Sequence, residues 1–198
     1  MKKPMVIAAA AVLVAAACSG DVLDSQESQD LEAELAAVRT TLTAVTAERD
    51  ELAAAAAKTA ARHARSEGTQ QAITEIIADP ASYGMEDEVL DLLDTLAAPG
   101  TRFRDDAFGG ATGWRSGWRQ TLFNDRDGDI HTWQRWLADD GSVGGSLWSW
   151  SGTARSGEPF GLIGINLDTF DDDGLVTSET VYYPYESSEV LRIFHNGG

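Results

Sequence analysis

The sequence predicts an α+β fold: a long helical stalk of coiled-coil type, then helices packed on a curved antiparallel sheet. Three features predict it. Apolar residues alternate four and three apart between Leu31 and Leu52. Every aromatic residue lies at Tyr83 or later, and no proline falls between Pro4 and Pro80, so the chain changes character near residue 68. Four apolar runs near the C-terminus are separated by turn sequences rich in Asp and Gly.

The chain opens with Met1-Lys2-Lys3, then an apolar run from Met5 to Ala17, then Cys18-Ser19-Gly20. A charged start, an apolar stretch and small residues before a cut are the marks of an export signal. The run is too short to cross a hydrocarbon layer of about 30 Å, which takes roughly 20 apolar helical residues. Ala15-Ala16-Ala17 before the single cysteine resembles the lipobox of bacterial lipoproteins, with Ala15 in place of the usual Leu. The resemblance implies that Cys18 is lipidated and becomes the first residue. The mature chain would then be held to a bacterial membrane outside the cytoplasm, with several acyl chains anchoring it firmly.

Loss of Met1 to Ala17 removes Lys2 and Lys3 and takes the net charge from −17 to −19. Such a polyanion is a poor partner for nucleic acid or anionic lipid headgroups. Residues 18–28 read as a polar tether. In the 29–67 segment, Leu31, Leu35, Val38, Leu42, Val45 and Leu52 fall on one seam of a helix with a 3.5-residue period. Arg49 interrupts the seam, and it continues only as Ala56, Thr59 and His63. Self-association through this stalk is the expectation, against a lone solvated helix or one folded back on the domain.

Gly68 is expected to end that helix and Ile73, Ile76 and Ile77 to begin a new apolar period, stopped at Asp79-Pro80. A further helix over 85–97 carries Val89, Leu92, Leu93 and Leu96 as its stripe, with Glu86-Asp87-Glu88 suiting its N-terminal dipole. Pro99-Gly100 would close it. A strand over 101–106, a glycine-rich turn and a short helix over 114–123 follow. Strands are expected at 129–138, 143–153, 160–170 and 175–185, adjacent runs pairing antiparallel.

The stretches Phe103-Arg104-Asp105-Asp106-Ala107-Phe108-Gly109-Gly110-Ala111-Thr112-Gly113-Trp114, Trp148-Ser149-Trp150-Ser151-Gly152-Thr153 and Phe170-Asp171-Asp172-Asp173-Gly174-Leu175-Val176 resemble the SnoaL-like branch of the NTF2-like superfamily. The resemblance covers residues 69–198 and leaves the stalk outside. It implies a cone in which a curled sheet surrounds a pocket closed by the N-terminal helices. Its members include polyketide cyclases, ketosteroid isomerases, dehydratases and non-catalytic binding domains, so the fold does not choose the function.

Alternation along the strands puts His131, Trp133 and Arg135 on one face, with Ile130, Thr132, Gln134 and Trp136 on the other. Trp148 and Trp150 lie together. Phe160, Leu162, Asn166, Asp168 and Phe170 oppose Ile163, Ile165 and Leu167, while Glu179, Val181, Tyr183 and Tyr185 oppose Val176 and Tyr182. An aromatic wall with a few carboxylates suits an apolar ligand that carries a carbonyl. Candidate ligand-binding residues are Phe108, Trp114, Trp118, Trp133, Trp148, Trp150 and Tyr183. Candidate acid and base groups are Asp105, Asp106, His131, Asp168 and Glu179, one carboxylate being raised in pKa by the apolar wall. Plainer roles exist for all of them: Asp168 and Glu179 pointing to solvent, Asp105 and Asp106 capping a turn, the tryptophans filling a core.

The acidic loops Asn124–Asp129 and Asp171–Gly174 fail a calcium-loop alignment at its first and twelfth places, so no metal is expected there. No cofactor is called for: the chain has no P-loop, dinucleotide fingerprint, nucleophile elbow or H-E-x-x-H. His63 and His195 are expected to be solvated. Three readings follow. The pocket binds a small apolar ligand or a partner; or it is a cofactor-independent cyclase, isomerase or dehydratase; or the domain is a structural module that oligomerises through stalk or sheet.

Overall fold

In the computed structural model, which describes residues 25–105, 110–123, 127–153 and 157–185, the first element is the helix α1, Ser25–Ala78. The expected break at Gly68 is absent. A mid-helix glycine costs only about 1 kcal/mol, and Ser66, Thr69 and Gln70 beside it are buried. Tertiary packing therefore outweighs the local preference. The described residues fall into two compact units, divided between Ala56 and Ala57. In the first, Leu42, Val45 and Leu52 of the heptad seam are exposed. In the second, the compact unit starts at Ala57, eleven residues before Gly68, so part of the expected stalk belongs with the sheet.

After a 3-10 turn at Pro80–Tyr83 come α2 (Glu86–Asp94), β1 (Ala97–Asp105), β2 (Gly110–Gly113) and α3 (Trp114–Leu122). The meander β3 (Asp127–Leu137), β4 (Val143–Thr153), β5 (Pro159–Phe170) and β6 (Val176–Tyr182) follows. The sheet order is β2-β1-β6-β5-β4-β3. All neighbours are antiparallel except β1 and β6, which run parallel. Pro99-Gly100 lies inside β1 rather than closing a helix.

The core sits between the inner face of this sheet and the helices. Val89, Leu90 and Leu93 of α2 are fully buried, with Phe103, Trp114 and Trp118. Arg115 and Arg119 of α3 pair with Glu86, Asp87, Asp91 and Asp94 on and around α2. The helical residues 57–78 are clipped to two hairpin turns. Ser66 Oγ donates to the Gly141 carbonyl at 2.8 Å, Arg62 to that of Phe170 at 2.8 Å, and Lys58 pairs with Asp172 at 2.7 Å. His63 is half-buried against the Gly141 turn instead of free in solvent; His195 lies outside the described residues.

Candidate functional site

Gln70, Ile73, Thr74 and Ile77 share one face of α1 and roof a cavity in the cone. Phe103 and Asp105 enter it from β1, Trp118 and Thr121 from α3, and Ser146, Trp148 and Trp150 from alternate positions of β4. Asn166 and Asp168 of β5, Glu179 and Val181 of β6, and Tyr183 complete the opposite wall. Gly164, paired with Trp148 across the ladder, leaves the space that the indole occupies. The free space beside the lining atoms is about 660 Å³ when the open solvent at the mouth is included. About 50 Å³ of it is open to the centre of a water molecule, room for roughly four waters.

Three candidate carboxyl groups converge here. Asp105, Asp168 and Glu179 are only 3%, 5% and 4% exposed. Asp168 and Glu179 are direct partners across the β5–β6 ladder. Two like charges so placed repel, and burial disfavours the ionised form of each. Burial pushes Asp168 up to about 7, against hydrogen bonds from Asn166 and Gln70 that favour its anion. Burial raises Glu179 well above the ordinary range, with the charges of Asp168 and Asp105 adding to it. The Asn166 amide donates to both oxygens of Asp168, at 2.9 and 2.8 Å, and accepts in turn from Ser146. Tyr183 donates to Asp105 at 2.8 Å. Among the described residues no hydrogen-bond partner meets the Glu179 carboxyl. Two carboxyl groups so raised bind and release protons closer to neutral pH than ordinary carboxylates do, which suits proton transfer.

Other candidates lie elsewhere. A bulge after Thr132 makes Trp133 the unpaired residue of β3 and reverses the alternation beyond it. Before the bulge Ile130 faces inward and His131 faces out, exposed; beyond it the reversed alternation turns Arg135 to the cavity. Trp133 is 52% exposed and does not line the cavity. Trp114 is core: its indole donates to the Leu93 carbonyl at 3.1 Å. Val176 is also buried rather than on the outer face, because the register shifts between Thr169 and Phe170. Asp106, Phe108 and Cys18 lie outside the described residues. Gln70, Asn166 and Arg135 were not among the candidates. Gln70 was legible in principle, three and seven residues before Ile73 and Ile77 on one helical face.

No family model matches the sequence, and no curated protein matches it. Solved structures do. A candidate polyketide cyclase from Xanthomonas campestris pv. campestris superposes with a TM-score of 0.51 at 18% identity, covering 67% of this chain and 98% of that one. An NTF2-like protein of unknown function from Burkholderia pseudomallei superposes with a TM-score of 0.52 at 13% identity, over 66% and 98%. The chain is thus an α+β protein built on the NTF2-like cone.

Proposed function

We propose that the cone is a cofactor-independent acid–base site that moves a proton on a small, mostly apolar ligand, as a cyclase, isomerase or dehydratase does. One observation carries this reading: Asp168 and Glu179 oppose each other across the ladder, buried in a cavity and held above the ordinary carboxylate range. A purely apolar binding pocket has no use for that pair, since each buried carboxyl is a cost. The candidate cyclase among structures of like fold is compatible with ring closure as the reaction. In this reading Asp168, once ionised, takes a proton from carbon, Glu179 supplies one to a developing oxyanion, and the tryptophans exclude water.

The reading is tested by proton exchange. Small apolar ketones incubated with the protein in heavy water should exchange the hydrogens beside the carbonyl, followed by proton NMR. Asp168→Asn should slow exchange by about 100-fold or more. Equal exchange by the variant, or none above buffer across a ketone panel with the wild type, overturns it.

Anchoring through Cys18 is part of the same proposal and rests on the sequence alone. Cells grown with labelled palmitate should incorporate label into the protein, and Cys18→Ala should abolish it. Label that persists in the variant ends the lipoprotein reading.

A further inference from the structure

Five of the side chains that line the cavity are aromatic: Phe103, Trp118, Trp148, Trp150 and Tyr183. The Trp148 and Tyr183 rings meet edge to face at 5.7 Å, as do Phe103 and Trp118 at 5.6 Å. In such pairs one ring is left with its negative face turned away from its partner. On the remaining wall, Asp168 and Glu179 are buried carboxyl groups that face each other across the β5–β6 ladder. Among the described residues no ion pair reaches Asp168 or Glu179. Arg135, at the mouth on β3, is the one cationic side chain of the lining among the described residues. The helical walls contribute only neutral groups, with Gln70 and Thr74 from α1 and Trp118 and Thr121 from α3. Glu179, 4% exposed, borders this space without a hydrogen-bond partner among the described residues.

We propose that the cavity takes a small organic cation, an alkylammonium group seated between the aromatic faces and the carboxyl groups of Asp168 and Glu179. This deepens the acid–base reading and rests on the same cavity. Aromatic faces attract a cation through their quadrupole, most strongly when water is excluded. A cation seated beside the two carboxyl groups offsets the burial and mutual repulsion that otherwise disfavour their ionised forms. The cation is organic because, among the described residues, no three His, Cys, Asp or Glu side chains are placed to hold a metal ion. The space open to water centres suits a head group of a few heavy atoms, with any polar tail directed to the mouth at Gln70, Thr74 and Arg135. A bound cation favours the ionised form of Asp168, so binding near neutral pH releases a proton to solvent, and affinity rises with pH as Asp168 ionises unaided. Asp105 and Glu179 face the same space, and Arg135 opposes the cation only from the mouth.

The test is calorimetry with choline, its uncharged carbon isostere dimethylbutanol, and the dimethylbutanoate anion, at pH 6 and pH 8. Choline should bind about 10-fold or more tighter than the alcohol and the anion not at all. Choline should also bind more tightly at pH 8, with proton release visible as a dependence of the heat on the buffer. Asp168→Asn should remove the preference for choline over the alcohol. If the alcohol binds as well as choline, or none of the three binds at millimolar concentration, the cation assignment is overturned. Carbon NMR of the carboxyl groups separates the two readings. Elevated titration of Asp168 and Glu179 with no preference for choline removes only the cation. Titration in the ordinary carboxylate range with choline still preferred removes only the acid–base chemistry.

Discussion

Asp168→Asn is expected to stabilise the folded protein by roughly 2–4 kcal/mol at pH 8 and to change it little at pH 4. The folded-state carboxyl loses its proton near 7, against 3.8 for the group in an unfolded chain. Between those values the folded chain holds a proton that the unfolded chain has released. Stability from this group is therefore complete below about pH 4, falls as pH rises, and is lost once pH passes the folded value. Asparagine mimics the protonated form and escapes the loss. Its amide nitrogen meets the Asn166 donor less well than an oxygen does, which takes back about 1 kcal/mol. Urea denaturation of wild type and variant at pH 4, 6 and 8 reads the effect directly. Curves for the two proteins that stay parallel across this range would mean that Asp168 ionises freely, and the account of the site would fail with it. Glu179, also raised by burial, acts in the same direction. The position proposed for acid–base chemistry is thus one where the fold gives up stability, as functional sites commonly do.

Local pattern made much of this site legible. Alternation along β5 placed Asn166 and Asp168 on the face with Phe160 and Leu162, and burial in the structure follows that alternation. The Trp148–Trp150 pair and the antiparallel meander follow from spacing and from the turns between the strands. What failed was everything that depends on a single inserted residue or on a distant partner. The bulge at Trp133 shifts the parity of β3, so that Arg135 lines the cavity while His131, read as sharing its face, points out, and no residue type announces it. The parallel pairing of β1 with β6 brings Phe103 beside Glu179 across more than seventy residues of chain. Neither strand's own pattern encodes that choice. Gly68 reads as a helix end because its propensity is poor, yet buried neighbours carry the helix through it.

The same long-range packing gives the second large effect, at the two turns that seat the helical residues 62–66. Gly141→Ala and Gly174→Ala should each destabilise the domain by about 3–5 kcal/mol, whereas Gly100→Ala should cost only about 1 kcal/mol. All three glycines have positive φ, at +70°, +77° and +82°, where a side chain is strained by crowding against its own backbone. They differ in what a Cβ would meet. At Gly141 it would stand 2.6 Å from the His63 Cα and 2.8 Å from its backbone nitrogen. At Gly174 it would stand 2.6 Å from the Arg65 Cβ and 2.7 Å from the Ser66 nitrogen. At Gly100 nothing lies within 4 Å. Helix backbone cannot yield by a rotamer change, so the helix must lift from both turns and strain the Ser66–Gly141 bond. The roof residues Gln70, Ile73, Thr74 and Ile77 follow within the next few turns of that helix, so cavity closure should weaken with stability. Denaturation of the three variants side by side separates the two contributions. Equal losses at Gly100 and at the turns would show that backbone conformation alone selects these glycines and that the turns do not seat the helix.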